Sequence, residues 1–390
     1  MNNVLTISKE RCYGCTACKA ICPAKAIEFK ADEQGFLYPV VDERKCVSCG
    51  QCLNVCLNKK DERSTKTIAF AVKNENAIEL RKSSSGGVSV AIAKYVIQNG
   101  GIVYGVEYDS NYEVITKRFD SQSQLESLYG SKYVQTNIKN TFLEIFDDLK
   151  LGKKVAFFGT SCHVAGLKSF IKAKHISDEG LITIDLICHG TPSPKLFSEY
   201  ISWLKKNKKF VKYEFRTKNK PWGYGSKNYG CTITYLYKQK NEKKEIDTSK
   251  ARLFLNLFFS NNCLRPCCYE CPYATVDKPS DLTMADYWGC KDEEEAFFSE
   301  DGVFAVLAHT VKGANFVENL PGIKWIYTSV EKIKKKQANL SSPSIMPPSY
   351  DSFWKYYYKN GFVRTAKKYG GYSLTARIKG AIKKLVSKKD

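Results

Sequence analysis

The chain has 390 residues, and its 61 Lys and Arg against 40 Asp and Glu give a formal net charge of +21. Hydrophobic residues make up 43% of the sequence, which is enough for a buried core and excludes a disordered chain. The length predicts two or three domains. The N-terminus lacks the apolar core of a signal peptide, and no apolar run of about 18 residues predicts a membrane-spanning helix.

Sixteen cysteines are present, and many have the spacing of metal ligands. This usage predicts a reducing cytoplasm rather than a secreted disulfide scaffold. Lysines cluster over residues 204–220, 236–250, 332–336 and 364–389. Such a surface suits an acidic electron donor or an anionic lipid, although a solvated lysine-rich surface is the plain alternative. Because no motif resembles a base-reading module, we expect no nucleic-acid partner.

Eight cysteines near the N-terminus form two copies of one spacing: Cys12, Cys15, Cys18 and Cys22, then Cys46, Cys49, Cys52 and Cys56. The spacing resembles that of bacterial two-cluster ferredoxins, in which the fourth cysteine of each run binds the other cluster. It predicts one 4Fe–4S cluster at Cys12, Cys15, Cys18 and Cys56, and a second at Cys46, Cys49, Cys52 and Cys22. Zinc and disulfide frameworks, the alternatives, lack this repeat. Between the copies, residues 26–29 and 36–40 predict a hairpin that turns at Gly35.

A strand–helix–strand unit follows. Apolar segments predict a strand over 67–72, a helix over 88–97 and a strand over 102–108. Before the helix stand Ser85, Gly86 and Gly87. Free amides at a helix N-terminus favour an anion, and glycine lets a phosphate approach the backbone, so this turn could hold a flavin pyrophosphate. An ordinary helix cap and turn is the alternative.

Two later strands end in small residues and cysteines. The apolar stretch before Gly159 leads to Thr160, Ser161 and Cys162, and the strand over 181–187 leads to Cys188 and His189. Ligands of open parallel sheets bind beyond such carboxyl ends. Each cysteine alone could equally be a small core residue. Cys268 and Cys271 also have metal spacing, but one pair is half a site, and the other half would come from Cys162 and Cys188.

The C-terminal residues from 364 are strongly basic. Apolar residues recur there at helical spacing, namely Leu374, Ile378, Ile382 and Leu385. This pattern predicts an interfacial helix on anionic lipid, and therefore a peripheral contact with the inner face of the membrane. A solvated tail and a helix docked on its own protein are the alternatives.

Together these motifs resemble the family of coenzyme F-420 hydrogenase/dehydrogenase beta subunits, which includes the 7-hydroxymethyl chlorophyll a reductases. The resemblance runs from about residue 68 to 310, behind the ferredoxin module. The matching residues are Ser85-Gly86-Gly87-Val88, Gly130-Ser131-Lys132-Tyr133, Gly159-Thr160-Ser161-Cys162, Cys188-His189-Gly190, Phe215-Arg216, Cys268-Tyr269-Glu270-Cys271, Asp281 and Asp286-Tyr287-Trp288-Gly289.

The resemblance implies an α+β ferredoxin-like module followed by an α/β FAD-binding domain with a mixed or mainly parallel sheet. The expected divisions are a two-cluster domain, a flavin phosphate-loop region, a region for flavin and a third cluster, and a basic tail, at residues 1–62, 68–150, 151–340 and 341–390. The third 4Fe–4S cluster would be held by Cys162, Cys188, Cys268 and Cys271. Ser161, where the family usually has proline, and the extra thiols Cys263 and Cys267 leave another ligand choice open. FAD contacts would come from Ser85, Gly86, Gly87, Ser131, Lys132, Gly159 and Thr160.

The function implied is that of a cytoplasmic oxidoreductase dependent on FAD and 4Fe–4S clusters. A reduced ferredoxin or similar donor would feed the N-terminal clusters, and FAD would pass electrons to an organic acceptor, with polysaccharide biosynthesis as one setting. His189 and Lys132 are the candidate general acids, because histidine titrates near neutral pH; a structural loop histidine is the alternative. The other hypothesis is an electron-transfer adaptor protein within a larger hydrogenase or dehydrogenase complex, with coenzyme F-420 as partner.

Overall fold

The computed structural model describes residues 2–57, 66–206, 209–218, 230–237 and 241–372. The strands are β1 (Ile27–Ala31), β2 (Leu37–Val41), β3 (Ile68–Asn74), β4 (Ile102–Tyr108), β5 (Val114–Phe119), β6 (Val155–Phe158), β7 (Leu181–Leu186), β8 (Lys209–Thr217), β9 (Gly230–Tyr237), β10 (Asn241–Ile246), β11 (Leu282–Asp286), β12 (Phe304–Ala308) and β13 (Ile323–Thr328). The helices are α1 (Ala17–Ile21), α2 (Gln51–Asn54), α3 (Ala77–Lys82), α4 (Val88–Gln98), α5 (Thr141–Lys150), α6 (Ser161–Ala173), α7 (Pro194–Lys205), α8 (Leu253–Phe259), α9 (Cys290–Glu293), α10 (Val311–Glu318), α11 (Val330–Lys334) and α12 (Tyr350–Tyr369).

The N-terminal hairpin forms as predicted. β1 and β2 pair antiparallel, with Ile27 opposite Val41. Gly35 makes the turn at φ +87°, and a Cβ there would lie 2.8 Å from the backbone nitrogen of Lys195. Glycine is therefore required both by the turn and by the close packing of the hairpin on α7.

An eight-stranded mixed sheet follows, in the order β13-β3-β12-β11-β7-β6-β4-β5. β4, β6, β7 and β11 pair in parallel, whereas β12 runs antiparallel to both β11 and β3. β3 therefore runs in the same direction as β11. The mixed sheet agrees with the predicted fold class, and β4 has its predicted bounds.

Apolar residues on both faces of this sheet are covered by helices. On one face Ala156 of β6 packs in a cluster with Ile92 of α4 and Ala314 of α10. On the other face Phe157 packs with Phe142 of α5 and Leu167 of α6. The alternation of neighbouring residues between the two clusters is what a strand buried on both faces requires.

A second core lies against the antiparallel sheet of β8, β9 and β10. It is rich in aromatic residues, such as Phe197 of α7, Phe215 of β8 and Phe254 of α8. α12 adds Phe353 and Trp354 to this core. The part of the predicted basic tail that is described is thus a packed helix, because its aromatic side chains find an apolar surface on the protein itself. The predicted interfacial helix, with Leu374, Ile378, Ile382 and Leu385, lies outside the described residues.

A buried ion pair ties β5 to α5. Asp148 accepts hydrogen bonds from Arg118 Nε at 2.9 Å and from the Tyr104 hydroxyl at 2.7 Å. Burial opposes ionisation of this carboxyl, but the hydrogen bonds from Arg118 and Tyr104 outweigh it and hold the pKa of Asp148 below its ordinary value. The stability contributed by this lowered pKa is present above the unfolded pKa of about 3.9 and is lost as the pH falls through the folded pKa.

We expect Asp148→Asn to be less stable than the parent at neutral pH and to lose less stability on acidification. Urea unfolding of both proteins at a series of pH values measures this difference. Asp120→Asn is the matched control, since Asp120 pairs with the same Arg118 but is half exposed. Parallel pH profiles for parent and Asp148→Asn would contradict the assignment.

No helix in the described part of the chain combines the length and the apolar character needed to cross a membrane. β3, β4, β6, β7 and β11 all end at one edge of the large sheet, because they run in the same direction. The residues that follow these ends therefore lie along a common edge, which is where ligands of such sheets bind.

Candidate functional site

Two groups of four cysteines surround separate spaces in the N-terminal module. The first quartet lines a cavity of about 210 Å³ and consists of Cys12, Cys15, Cys18 and Cys56. The second quartet lines a smaller cavity and consists of Cys22, Cys46, Cys49 and Cys52. The exchange of Cys22 and Cys56 between the two groups is the pairing that the ferredoxin spacing predicts.

The two cysteine loops have the same backbone form. Gly14 and Thr16 take left-handed φ values of +69° and +64°, and the equivalent Ser48 and Gly50 take +52° and +73°. Thr16 and Gly50 then cap α1 and α2. Left-handed residues inserted into a turn direct successive backbone N–H groups to one side, which is the concavity that holds anionic iron–sulfur centres.

A third quartet forms at the edge of the large sheet. Its thiols line one cavity together with Tyr13 and Arg265, and its members are Cys162, Cys188, Cys268 and Cys271. Cys162 lies in the first turn of α6, and Cys188 follows β7 by two residues. The other two lie at a 3₁₀ turn over Pro266–Glu270 and directly after it. Four thiols from three distant segments thus meet where the sequence placed two half-sites.

Two sulfurs of the third quartet accept hydrogen bonds from backbone N–H groups. Cys188 Sγ accepts the backbone N–H of Gly190 at 3.4 Å, and Cys268 Sγ accepts that of Thr191 at 3.4 Å. A hydrogen bond with Cys267, together with those from Thr191, holds the pKa of Cys268 below its ordinary value despite burial. Burial instead raises the pKa of Cys188 to about 12. Metal loading of this site must therefore displace protons.

The extra thiols are distinct from the quartet in different ways. Cys267 also borders the third cavity. Cys263 belongs to the aromatic core instead, where its Sγ donates to the carbonyl of Leu257 at 3.4 Å. Of the two extra thiols, only Cys267 is thus a competing ligand in the described structure.

The cysteine geometry fits iron–sulfur clusters. Among the described residues, no three His, Cys, Asp or Glu side chains are close enough to hold a single metal ion. In a cubane, each thiolate binds a different iron, so its four sulfurs stand further apart than the ligands of a lone zinc. Each quartet lines one cavity and offers the four thiolates that a 4Fe–4S cluster needs.

Arg265 joins the first and third quartets and was missed by the sequence analysis. Its side chain is fully buried. Nε donates to the carbonyl of Cys12 at 2.7 Å, and an Nη group lies 3.6 Å from Cys12 Sγ. The guanidinium also lies 4.1 Å from the ring centroid of Tyr38 and borders the third cavity. The only signal in the sequence is its position between Cys263 and Cys267.

Close packing brings the same two quartets together elsewhere. A Cβ on Gly166 of α6 would lie 2.9 Å from Cys15 Sγ. Tyr13 borders both the first and the third cavity and packs edge-on against Tyr273, with ring centroids 6.0 Å apart. The first quartet thus lies against the third, while Cys49 of the second quartet is exposed to solvent.

The residues predicted to bind flavin phosphates have other partners. Ser85 is buried and donates to the carbonyl of Val303. A Cβ on Gly86 would lie 2.7 Å from the backbone nitrogen of Phe304, so sheet packing explains this glycine. Gly87, at φ +72°, caps α4. Ser131 donates its N–H to Ser84 at 3.0 Å, which joins the two loops.

Gly159 and Thr160 lie between β6 and α6, and Thr160 borders the third cavity. The Thr160 hydroxyl is 3.2 Å from Cys162 Sγ. A Cβ on Gly159 would lie 2.9 Å from the ring of Phe157, so this position is also tightly packed. Gly159 and Thr160 therefore lie beside the third quartet. Ser85 lies away from them, because it follows β3, and β12, β11 and β7 stand between β3 and β6.

The two candidate general acids are held by protein groups. Lys132 Nζ donates to three backbone carbonyls, those of Ser127, Tyr129 and Gly130, at 3.0–3.1 Å. Burial lowers the pKa of Lys132 to about 8. His189 Nε2 pairs with Asn261 Oδ1 at 2.7 Å, and burial lowers the pKa of this histidine. The geometry favours the structural alternative for His189.

Two further cations lie at this edge and escaped the sequence analysis as site residues. Arg216 of β8 pairs with Asp286 at the end of β11, with Nη1 2.6 Å from Oδ2, and both side chains are largely buried. The Arg216 guanidinium lies 5.5 Å from the ring centroid of Trp288. Lys218 donates to the carbonyls of Leu80, Ser85 and Asp301 and so fixes the loop before α4.

Comparisons with known proteins agree with the predicted fusion. Residues 152–335 match the family model for the C-terminal part of the beta subunits of coenzyme F420 hydrogenase/dehydrogenase. Residues 11–59 match a 4Fe-4S dicluster domain.

Two curated relatives are similar to this chain. One of them, a component of the F(420)H(2) dehydrogenase of Methanosarcina mazei, is 25% identical over 241 residues, which cover 56% of this chain and 65% of the relative. An uncharacterized protein of Methanocaldococcus jannaschii is 25% identical over 200 residues, or 42% of this chain and 53% of that protein. The chain spans less than two thirds of the length of either relative.

Among solved structures, the F420-reducing NiFe hydrogenase complex of Methanosarcina barkeri contains a chain with a TM-score of 0.43 and 14% identity, covering 73% of this chain and 97% of that one. The family matches and the cysteine geometry lead to the same conclusion. The chain thus matches 4Fe-4S dicluster domains over residues 11–59 and the C-terminal part of the beta subunits of coenzyme F420 hydrogenase/dehydrogenase over residues 152–335, and it is related to those beta subunits.

Proposed function

We propose that this protein is an electron-transfer component of a larger hydrogenase or dehydrogenase complex. Electrons pass between a redox partner at the second quartet and an acceptor at the third, with the first quartet in between. When bound, clusters of this kind accept and release electrons at potentials set by charge, hydrogen bonds and solvent exposure. The observation that carries the proposal is the double contact of Arg265 and Tyr13 with the first and third quartets.

The surface beside the third quartet supports a partner there. Phe259, Ile345 and Met346 are exposed to 51%, 82% and 46%. Phe259 packs on His189, whose carbonyl accepts a hydrogen bond from the Ser344 hydroxyl. Ile345 and Met346 directly follow Ser344, which lines the third cavity, and Asn261 donates to the carbonyl of Ile345 at 3.1 Å. Exposed apolar groups of this kind commonly mark interaction sites. The name of the Methanosarcina mazei relative, a component of a dehydrogenase with several subunits, points the same way.

A self-contained flavoenzyme is the second candidate. In this version FAD lies along the sheet edge, a reduced ferredoxin is the donor, and coenzyme F420 or another organic compound, in polysaccharide biosynthesis for example, is the acceptor. Three strands separate β3 from β6, so at a strand spacing of about 4.8 Å their ends are about 19 Å apart. An extended dinucleotide could cover that distance, from the α4 N-terminus at Gly87 to Thr160. Ser85 and Gly86 pack against Val303 and Phe304 of the sheet, which counts against a phosphate contact at these two residues.

Anaerobic purification of the full chain separates the candidates. About twelve irons per chain without extractable flavin, and no turnover of organic acceptors by the isolated chain, would support the electron-transfer component. One FAD per chain with turnover would support the flavoenzyme instead. Iron for only two clusters would overturn both, because each requires the third quartet.

Cys271→Ser tests the third quartet directly. We expect the variant to lose about four irons and one cluster signal while keeping the two N-terminal clusters, because one of four thiolates is removed. Iron and acid-labile sulfide analysis with electron paramagnetic resonance measures the loss. Cys263→Ser, which changes a buried thiol of the aromatic core, should retain all the iron. Equal iron in parent and Cys271→Ser would exclude Cys271 as a ligand.

A further inference from the structure

A line of buried polar groups crosses the strands of the large sheet. Asp185 of β7 is fully buried, and the Thr283 hydroxyl of β11 donates to its Oδ1. The Thr283 hydroxyl also lies 2.8 Å from His309 Nε2. The other ring nitrogen, His309 Nδ1, lies 3.1 Å from the hydroxyl of Thr67. Thr67 is only partly buried, so the line runs from the core to the surface.

The inner end of this line lies next to the third quartet. Buried Lys278 donates to the carbonyl of Tyr273 and lies 3.4 Å from the hydroxyl of Ser161. Tyr273 and Ser161 both border the third cavity. Asp185 Oδ2 is buried and accepts no hydrogen bond from the described residues. On the side of this cavity, Lys278 and the hydroxyl of Ser161 act on the Asp185 carboxylate and favour its ionised form.

Every member of the line can both donate and accept a proton. A hydroxyl and a neutral imidazole each carry one donor and at least one acceptor. Burial lowers the pKa of His309 to about 3, so its imidazole is neutral at ordinary pH. A proton added at Thr67 can thus be passed on through His309 and Thr283 to Asp185 by reversing each hydrogen bond.

Burial and the polar groups around Asp185 act on its carboxyl in opposite directions. Burial raises the pKa of this carboxyl, while Lys278 and the hydroxyls of Ser161, Thr283 and Ser280 oppose that rise. Toward His309, the nearby charges are Lys278, Asp281 and Lys168, whose Nζ binds the carbonyl of Pro279. Asp281 is itself held by Thr183, Thr310 and Lys312. Lys278 is thus a cation that acts on both Asp185 and His309.

We propose that Asp185 is a proton-binding site that compensates charge when an electron arrives at the third quartet, and that Thr67, His309 and Thr283 carry the proton to it. This inference rests on the proposed function. One electron from the N-terminal clusters would reduce a cluster held by the third quartet. One proton from solvent then forms an O–H bond on the Asp185 carboxylate. On oxidation the electron passes to the acceptor and the proton returns to solvent. The added negative charge next to Lys278 is the reason why protonation of Asp185 becomes more favourable.

The test is a redox titration of the anaerobic holoprotein at several pH values, followed by electron paramagnetic resonance. The signal of the third quartet is identified by its loss in Cys271→Ser. Its potential should fall by about 59 mV per pH unit, since one pH unit is a tenfold change in proton concentration for a one-electron couple. The potentials of the two N-terminal clusters should change little. In Asp185→Asn the third potential should become independent of pH.

Thr283→Val tests the route rather than the site. Thr283→Val should leave the pH slope of the potential unchanged. It should slow the proton uptake that follows rapid reduction, as measured with a pH indicator. Thr234→Val, a buried threonine in the sheet of β9, is the matched control and should leave both unchanged. A third signal whose potential is independent of pH in the parent overturns this inference alone. Absence of the third signal overturns the proposed function, and this inference with it.

Discussion

Arg265→Met is expected to destabilise the protein by about 3 kcal/mol or more, because it leaves several buried acceptors without a donor at about 1–3 kcal/mol each. These acceptors are the carbonyls of Cys12 and Leu37 and Oε1 of Gln135, at 2.7–3.0 Å from the guanidinium. Urea unfolding of the holoprotein measures the loss. Arg44→Met, at a side chain that is 93% exposed, should change stability by at most about 0.5 kcal/mol.

The same substitution should lower the potential of the cluster at the first quartet. The guanidinium lies 3.6 Å from Cys12 Sγ, and a buried cation at that distance favours the reduced, more negative state. Arg265→Lys keeps the charge and should shift the potential less than Arg265→Met, although it loses the forked hydrogen bonds. A first cluster with the same potential in all three proteins would show that Arg265 acts only as a structural link.

Arg216→Met is the second large effect, with an expected loss of about 3–5 kcal/mol, because it removes the buried cation that pairs with the carboxylate of Asp286. The Arg216 side chain is 4% exposed and that of Asp286 is 11% exposed. The double variant Arg216→Met/Asp286→Leu should recover much of the loss, since it removes both charges. Urea unfolding of the parent, the two single variants and the double variant completes the cycle.

Lys335→Met provides the surface control for that cycle. Lys335 pairs with Glu293 at 2.8 Å, but its side chain is 59% exposed, so its loss should cost at most about 1 kcal/mol. In the Arg216–Asp286 cycle, a double variant whose loss of stability equals the sum of the losses in the two single variants would mean that Arg216 and Asp286 contribute independently of each other.

The sequence predicted the N-terminal site because its ligands are close together along the chain. The spacing of Cys12 to Cys22 and of Cys46 to Cys56 carries both the ligand types and their exchange between clusters. The predicted hairpin and β4 followed from apolar alternation and a turn glycine, which are also local signals. The third quartet draws on separate segments between residues 162 and 271, so the local pattern gave only two half-sites, and the resemblance to a family supported joining them.

Other features could not be read from local patterns. The positions of Arg265 and of the polar groups from Asp185 to Thr67 depend on which strands are neighbours in the sheet. No single segment of the sequence determines that strand order. Gly86 has the pattern of a phosphate loop, yet its contact with the backbone of Phe304 gives it a packing role. The packing of residues 350–369 on the protein could have been predicted, since Phe353, Trp354 and Tyr357 are unusual in a free basic tail.

The unequal shielding of the N-terminal thiols has a practical result. Cys49 is exposed, whereas Cys18 and Cys52 are buried. Oxygen and peroxide reach accessible sulfur first, so air damage should begin at the outermost centre and spread inward. A preparation handled aerobically would then stay folded after oxidation of its second quartet, the site that we propose exchanges electrons with the redox partner.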